Sequence, residues 1–263
     1  MRQIGISVMN SLQLTNAQFA QMISESGFTA AFSEMQTIAQ HDDLANQLAK
    51  HGITFENLHA PFSHINDIWF DCDGGDIMLK ELMDCIDRCH HSAIPYMVVH
   101  LSSGDNAPPV TDLGRARFTQ LIDHAISKNV GIAFENQRKL ANLAWAMETF
   151  SADDRVGFCW DCGHEGCFTP GREYMPIFGN RLMATHIHDN YGVYNQDCHL
   201  VPFDGSLDFE RITRQIRESS YTGSLLLELI PEKTPSYMQM NPIEYIKHAA
   251  KAAKRLRDMV DSK

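Results

Sequence analysis

No apolar run in this chain approaches the roughly 20 residues that a membrane-spanning helix requires. The opening MRQIGISVMNS is too short and too polar for a secretory signal, so a cytoplasmic protein is expected. Cations are scarce and nowhere clustered: 22 Lys and Arg stand against 33 Asp and Glu, a formal net charge of −11. A negative field of that size opposes tight binding to a polyanion, so nucleic acid is not the expected partner. The chain lacks a G-x-G-x-x-G turn, a Walker loop and a G-x-S-x-G elbow, which removes the motif-based dinucleotide, nucleotide and serine-hydrolase readings. No linker, repeat array or low-complexity tract divides it, so residues 1–263 read as one domain. Seven cysteines, an odd number, read as reduced thiols in a reducing compartment. Cys159 and Cys162 form a C-x-x-C, but it straddles a strand end with Asp161 inside it, and buried thiols are favoured over a zinc-thiolate site.

What the chain does have is alternation. Short apolar runs alternate with longer amphipathic ones, the pattern of βα units and a parallel sheet. Strands are expected near 3–8, 29–34, 53–58, 95–100, 130–135, 156–161, 182–188 and 224–229. Helices are expected near 16–26, 42–51, 76–92, 112–128, 138–149, 172–179, 207–219 and 242–258. The helix near 172–179 is limited by Pro170 and Pro176. Eight such repeats predict an α/β fold, a single (β/α)8 TIM barrel, and the length fits one barrel. Gly131, Ala133 and Glu135 share one strand face and Ile132 and Phe134 the other. Two long loops, 59–75 and 189–206, follow strands that end on candidate ligands, as functional loops do.

The strand-like runs end on residues that bind divalent metals: ITFENLH on His59, YMVVH on His100, GIAFE on Glu135, VGFCWD on Asp161, LMATHIH on His188 and SLLLE on Glu228. A parallel barrel gathers the C-terminal ends of its strands on one face. Carboxylates such as Glu135 and Glu228 at the ends of apolar runs are costly unless a cation compensates them. Pairing with Lys or Arg is the bland alternative for each. Asp161 and His164 form D-x-x-H, which reads either as two ligands or as a helix cap beside a surface histidine. Asp197 and His199 follow on the loop and could share an ion or be an exposed pair. His188 is the better ligand of HIH, whereas His186, a layer deeper, reads as a hydrogen-bonded interior histidine. For His59 and His100, metal ligand, substrate contact and satisfied core histidine stay open. His41, His51, His64, His90, His91, His124 and His248 read as structural. Imidazole mixed with carboxylate suits Zn²⁺, Mn²⁺, Fe²⁺ or Co²⁺ better than Ca²⁺ or Mg²⁺. Nine candidate ligands exceed what one tetrahedral ion takes, which suggests two or three ions bridged by Glu135. The expected cofactor is one to three divalent ions, Zn²⁺ or Mn²⁺ first. Glu34 at a strand end, His164 and Arg138 are candidate substrate contacts.

The ordered series FEN, DCGH, HIHDN-x6-DCHLVPFDGSLDF and LLLE resembles the xylose-isomerase-like barrel superfamily, which includes sugar isomerases and epimerases and the endonuclease IV type of DNA-repair enzyme. The resemblance covers nearly the whole chain. It implies that Glu135, Asp161, His188 and Glu228 surround one ion, that His164, Asp197 and His199 face a second, and that His59 and His100 join a further ion through Glu135. It implies a metal-dependent sugar or sugar-phosphate isomerase or epimerase, working through an enediolate with Glu135 and Glu228 moving the proton. The alternative is a phosphodiester hydrolase at abasic DNA sites; a non-catalytic binding barrel is third. The arginine that the epimerase branch carries after its strand-7 histidine is missing from Tyr191–Gln196, and VPFDG replaces a glycine-containing segment of the endonuclease branch. The expected partner is a small sugar or sugar phosphate, with no membrane; a homo-oligomer is compatible with the sequence.

Overall fold

Six strands stop on a residue able to bind a metal, and the strands lie parallel, so those residues collect at one end. The computed structural model describes residues 1–262. Its elements run β1 (Ile4–Ser7), α1 (Asn16–Ser26), β2 (Ala30–Glu34), α2 (Ile38–Lys50), β3 (Thr54–His59), α3 (Asp73–His91), β4 (Tyr96–His100) and α4 (Asp112–Ser127). They continue through β5 (Gly131–Glu135), α5 (Leu140–Thr149), β6 (Val156–Asp161), α6 (Cys162–Phe168), α7 (Met175–Phe178), β7 (Leu182–His186), α8 (Phe209–Glu218), β8 (Leu225–Leu227) and α9 (Pro242–Asp261). The sheet order is β7-β6-β5-β4-β3-β2-β1-β8, every ladder parallel. The ring closes between β7 and β8 by a single bridge, Ile187 to Leu227, with Ile187 N–H donating to Leu226 O at 2.8 Å. This is a single (β/α)8 TIM barrel.

The barrel interior is filled by small and medium side chains. Val98, Ala133, Cys159 and Ala184 pack together on the axis with Tyr96, so Ala133 does face inward. Ile132 and Phe134 belong instead to the larger layer between sheet and helices, where Phe134 meets Phe118 and Phe150. Small residues at the axis leave the space above them to Glu135, Asp161 and His186.

Several boundaries differ from the sequence expectation. The helix expected at 172–179 is one turn, Met175–Phe178, with Pro176 at its start. An additional helix, α6, follows β6 directly, because Asp161 caps it: His164 N–H donates to Asp161 Oδ1 at 2.6 Å. Helix α2 begins at Ile38, four residues earlier than expected, because Thr37 and Gln40 form a capping box. Strand β7 ends at His186, not 188, where its partner strand β6 also ends. The loop after β3 contains a 3-10 turn, Ile65–Trp69, whose Trp69 is buried and donates to Leu101 O at 2.7 Å. The cysteines are free thiols; Cys159 and Cys162 are both buried. Among the described residues no helix is long and apolar enough to cross a membrane.

Candidate metal centre

Register decides which side chains meet. In the ladders His100 pairs with Glu135, and Asp161 with His186. Glu135 lies at the centre and is 1% exposed. Its Oε2 accepts from His100 Nε2 at 2.9 Å and His59 Nε2 at 3.2 Å; its Oε1 lies 2.9 Å from His164 Nδ1. Asp161 Oδ1 lies 3.1 Å from His188 Nε2 while also capping α6. Asp161 is therefore a helix cap that also contacts an imidazole, and His164 is buried rather than on the surface. Asp197 Oδ2 accepts from His199 Nε2 at 2.8 Å and Lys233 Nζ at 3.1 Å. His199 holds a left-handed backbone (φ 48°), a conformation a histidine adopts at a cost. The His188 and His199 rings stack with centroids 3.9 Å apart.

Three groups of potential donor atoms result, each mutually within 4.8 Å: His164, His188, Asp197 and His199; His59, Glu135 and His186; and Glu135, Asp161, His186 and Glu228. All nine ligand candidates of the sequence sit at this end of the barrel, His100 through its bond to Glu135. Their partition differs from the resemblance in two places: His59 and Glu135 stand with His186 and without His100, and the two histidines of HIH change groups. His186, not His188, stands with Glu135, Asp161 and Glu228; His188 stands with the loop pair Asp197 and His199. His186 is interior, as expected, but not hydrogen-bonded: both ring nitrogens are buried without such a partner. Its Nδ1 lies 3.4 Å from Glu228 Oε1 and 3.6 Å from Glu135 Oε1, and its ring stacks on Phe32. The period-two spacing of HIH contained that signal, but the strand's end point, which selects between the two histidines, lay in the ladder.

The electrostatics fit a cation. Burial alone would raise the Glu135 carboxyl; His100, His186 and His164 hold it well below the usual carboxylate range. Burial would lower His59, but Glu135 outweighs it and lifts the imidazole to about 9. Burial likewise opposes protonation of His164, and Asp161 and Glu135 raise it to about 10. In the protein alone, imidazole protons are the positive charge that balances these acids. Divalent ions would supply the same compensation. Both His186 nitrogens, His188 Nδ1 and Asp197 Oδ1 are buried without a hydrogen bond, and buried polar atoms require a partner. The donor set is imidazole and carboxylate throughout, so residues and group fit.

Above the donors opens a cavity of about 350 Å³. Phe62 and Phe168 form walls, and all three expected substrate contacts, Glu34, Arg138 and His164, line it. Arg138 lies over the Phe168 ring at 3.5 Å and pairs with Asp105 at 3.1 Å. Gln137 and Lys233 are among the lining residues that were not anticipated. Gln137 Nε2 lies 3.1 Å from both His100 Nε2 and His164 Nδ1, and Lys233 reaches in from the turn after β8.

The profile of the xylose isomerase-like TIM barrel family matches residues 16–258. The chain belongs to that family. It is 36% identical over 151 residues to the uncharacterised protein y4fM of Sinorhizobium fredii (strain NBRC 101917 / NGR234), a match covering 55% of this chain and 47% of that protein. The alignment thus spans about half the length of that curated relative. Among solved structures, D-psicose 3-epimerase with D-tagatose from Clostridium cellulolyticum H10 superposes with a TM-score of 0.77 at 12% identity, covering 98% of this chain and 99% of that one. The IOLI protein with a bound zinc atom gives 0.77 at 17%, again over 98% and 99%. The 3-keto-D-glucoside 4-epimerase YcjR of E. coli gives 0.74 at 16%, over the same shares. At these identities the likeness is one of fold.

Proposed function

We propose that the protein is a metal-dependent sugar or sugar-phosphate isomerase or epimerase. One observation carries the reading: Glu135 and Glu228 each bring a carboxylate oxygen within 4.8 Å of the other and of Asp161 and His186, under a cavity of small-molecule size. Two carboxylates about one point serve proton removal and return at a carbon beside a carbonyl. The epimerase neighbours, which act on small sugars by their names, support it.

Glu135, Asp161, His186 and Glu228 would hold one divalent ion, and His164, His188, Asp197 and His199 a second. Zn²⁺ or Mn²⁺ suits both sets. Such an ion supplies Lewis-acid stabilisation of the charge that develops on the sugar carbonyl oxygen. Glu228, with its side chain 16% exposed, takes the proton from the carbon. Glu135, fully buried and held ionised by three imidazoles, passes a proton from the His164 imidazolium, whose Nδ1 lies 2.9 Å from Oε1, to the other face or the neighbouring carbon, and Glu228 and His164 then exchange protons with solvent. Phe62 and Phe168 exclude water, and His164, Glu34 and Arg138 position the substrate's oxygens.

The test is proton exchange at carbon. The metal-loaded protein in deuterated buffer should incorporate solvent deuterium beside the carbonyl of at least one member of a panel of ketoses, inososes and their phosphates. Glu135→Gln and Glu228→Gln should each cut that rate about 100-fold or more. The larger donor set favours a second reading, phosphodiester hydrolysis, because two or more ions clamp an in-line displacement. Nicking of an abasic-site duplex at nanomolar protein, with no exchange on any sugar, would establish that reading and end the first.

A further inference from the structure

We infer, on the isomerase reading above, that the substrate is an uncharged glycoside: a reacting sugar at the donors, with a second neutral sugar-like unit in side chambers between the β1, β2 and β3 loops. The cavity over the donors does not end there. Glu34, His59, Glu228 and Ile230 also wall a chamber of about 170 Å³ that reaches Asn10, Ser11 and Gln36. Glu34, His59 and Phe62 wall another of about 280 Å³ that reaches Met35, Pro61 and Ser63. The three spaces adjoin along Glu34 and His59, so the reacting unit has room beside it for a second.

Charge decides what that second unit is. Two Lys or Arg side chains line the central cavity, and both are engaged: Arg138 with Asp105 at 3.1 Å and Lys233 with Asp197 at 3.1 Å. Neither side chamber is lined by a Lys or Arg, whereas Glu34 and Glu232 line them. A phosphate placed there would face these carboxylates with no Lys or Arg to offset them, and His59, which walls both chambers, is already paired with Glu135 at 3.2 Å. Hydroxyl groups would instead meet the amides of Asn10 and Gln36. Phe62 adds a flat apolar face. It is 39% exposed, and its ring is braced against His59 and His100 at 5.4 and 4.4 Å. A sugar ring offers such a face its C–H side and keeps its hydroxyls for the polar walls.

The experiment compares each ketohexose with its 6-phosphate and its 6-O-glucoside, using the metal-loaded full chain and deuterium exchange as the readout. The glucoside should exceed the free ketose in kcat/KM by about tenfold or more, and should exceed the phosphate. Gln36→Leu should lower the glucoside-to-ketose ratio at least about threefold; should that variant fold poorly, Asn10→Ala reads the same ratio. Exchange on free ketoses with a ratio near one, or a preference for the phosphates, overturns this inference and leaves the isomerase reading standing. No exchange on any of the three series, with abasic-site nicking, removes both.

Discussion

Single residues at the centre have little freedom, and the clearest case has no side chain. Gly163 lies under the His188 ring, and a Cβ built on it would overlap that ring. Gly163→Ala must therefore displace His188 or the start of α6. Overpacking of this kind costs about 1–3 kcal/mol, and here it falls on a candidate ligand. Denaturant unfolding should show that loss together with a fall in bound metal; unchanged stability and metal content would show that the ring can move aside freely. The two histidines of HIH make a second test. His186→Asn removes a donor from the group with Glu228, and His188→Asn one from the group with Asp197. Elemental analysis should find each variant short of about one ion and the double variant short of about two. A double variant no poorer in metal than either single one would mean that both serve one ion and that the partition is wrong.

At the scale of elements, the loop after β7 is ordered by one acid. Asp189 is buried and accepts backbone N–H bonds from Phe203 at 3.0 Å, Gly205 at 2.8 Å and Leu207 at 3.1 Å. Gly205 is needed there, since a Cβ would lie 2.5 Å from Asn190 O. Asp189 also bridges Leu200 through its backbone, and Asp197 and His199 stand just before that bridge. Asp189→Asn keeps the shape but places an amide among donors. It should cost about 2 kcal/mol, as for hydrogen bonds to a charged group, and should speed hydrogen exchange at the Phe203, Gly205 and Leu207 amides more than at β5. Equal protection in variant and parent would remove this role. Strands and most helices were legible in the sequence because the change from apolar runs to amphipathic ones is local. Helix α6 was not placed: D-x-x-H left a ligand pair and a cap at Asp161 both open, and the bond from the His164 backbone to Asp161 makes it a cap. The start of α2 was misplaced because a capping box rather than the hydrophobic period fixes it at an exposed Ile38, and that of α3 because its first turn, Asp73–Asp76, is polar.

At the scale of the molecule, the barrel and the end that carries the site followed from one regularity, apolar runs closing on His, Asp or Glu. Distances within the cluster did not follow. Ladder register places Asp161 beside His186, and no count of residues along one strand contains that pairing. The side chambers are likewise set by which loops adjoin, so Asn10 and Gln36 carried no signal of their own. The whole fold concentrates Glu135, Asp161 and five buried imidazoles besides His199 at one end of the barrel: His59, His100, His164, His186 and His188. An end so loaded with ionisable groups is stabilised by whatever neutralises it in the folded state alone. A ligand at 100 times its Kd adds about 2.7 kcal/mol to unfolding. In a barrel of this size 1 kcal/mol corresponds to roughly 2–4 °C, so Zn²⁺ or Mn²⁺ added to chelator-treated protein should raise the melting temperature by roughly 5–10 °C. Mg²⁺, which prefers oxygen ligands, should raise it less. His186→Asn should keep only part of the shift, because the second donor group remains. A melting temperature indifferent to every divalent ion would mean that imidazole protons alone balance Glu135 and Asp161, and the metal centre would then have no support.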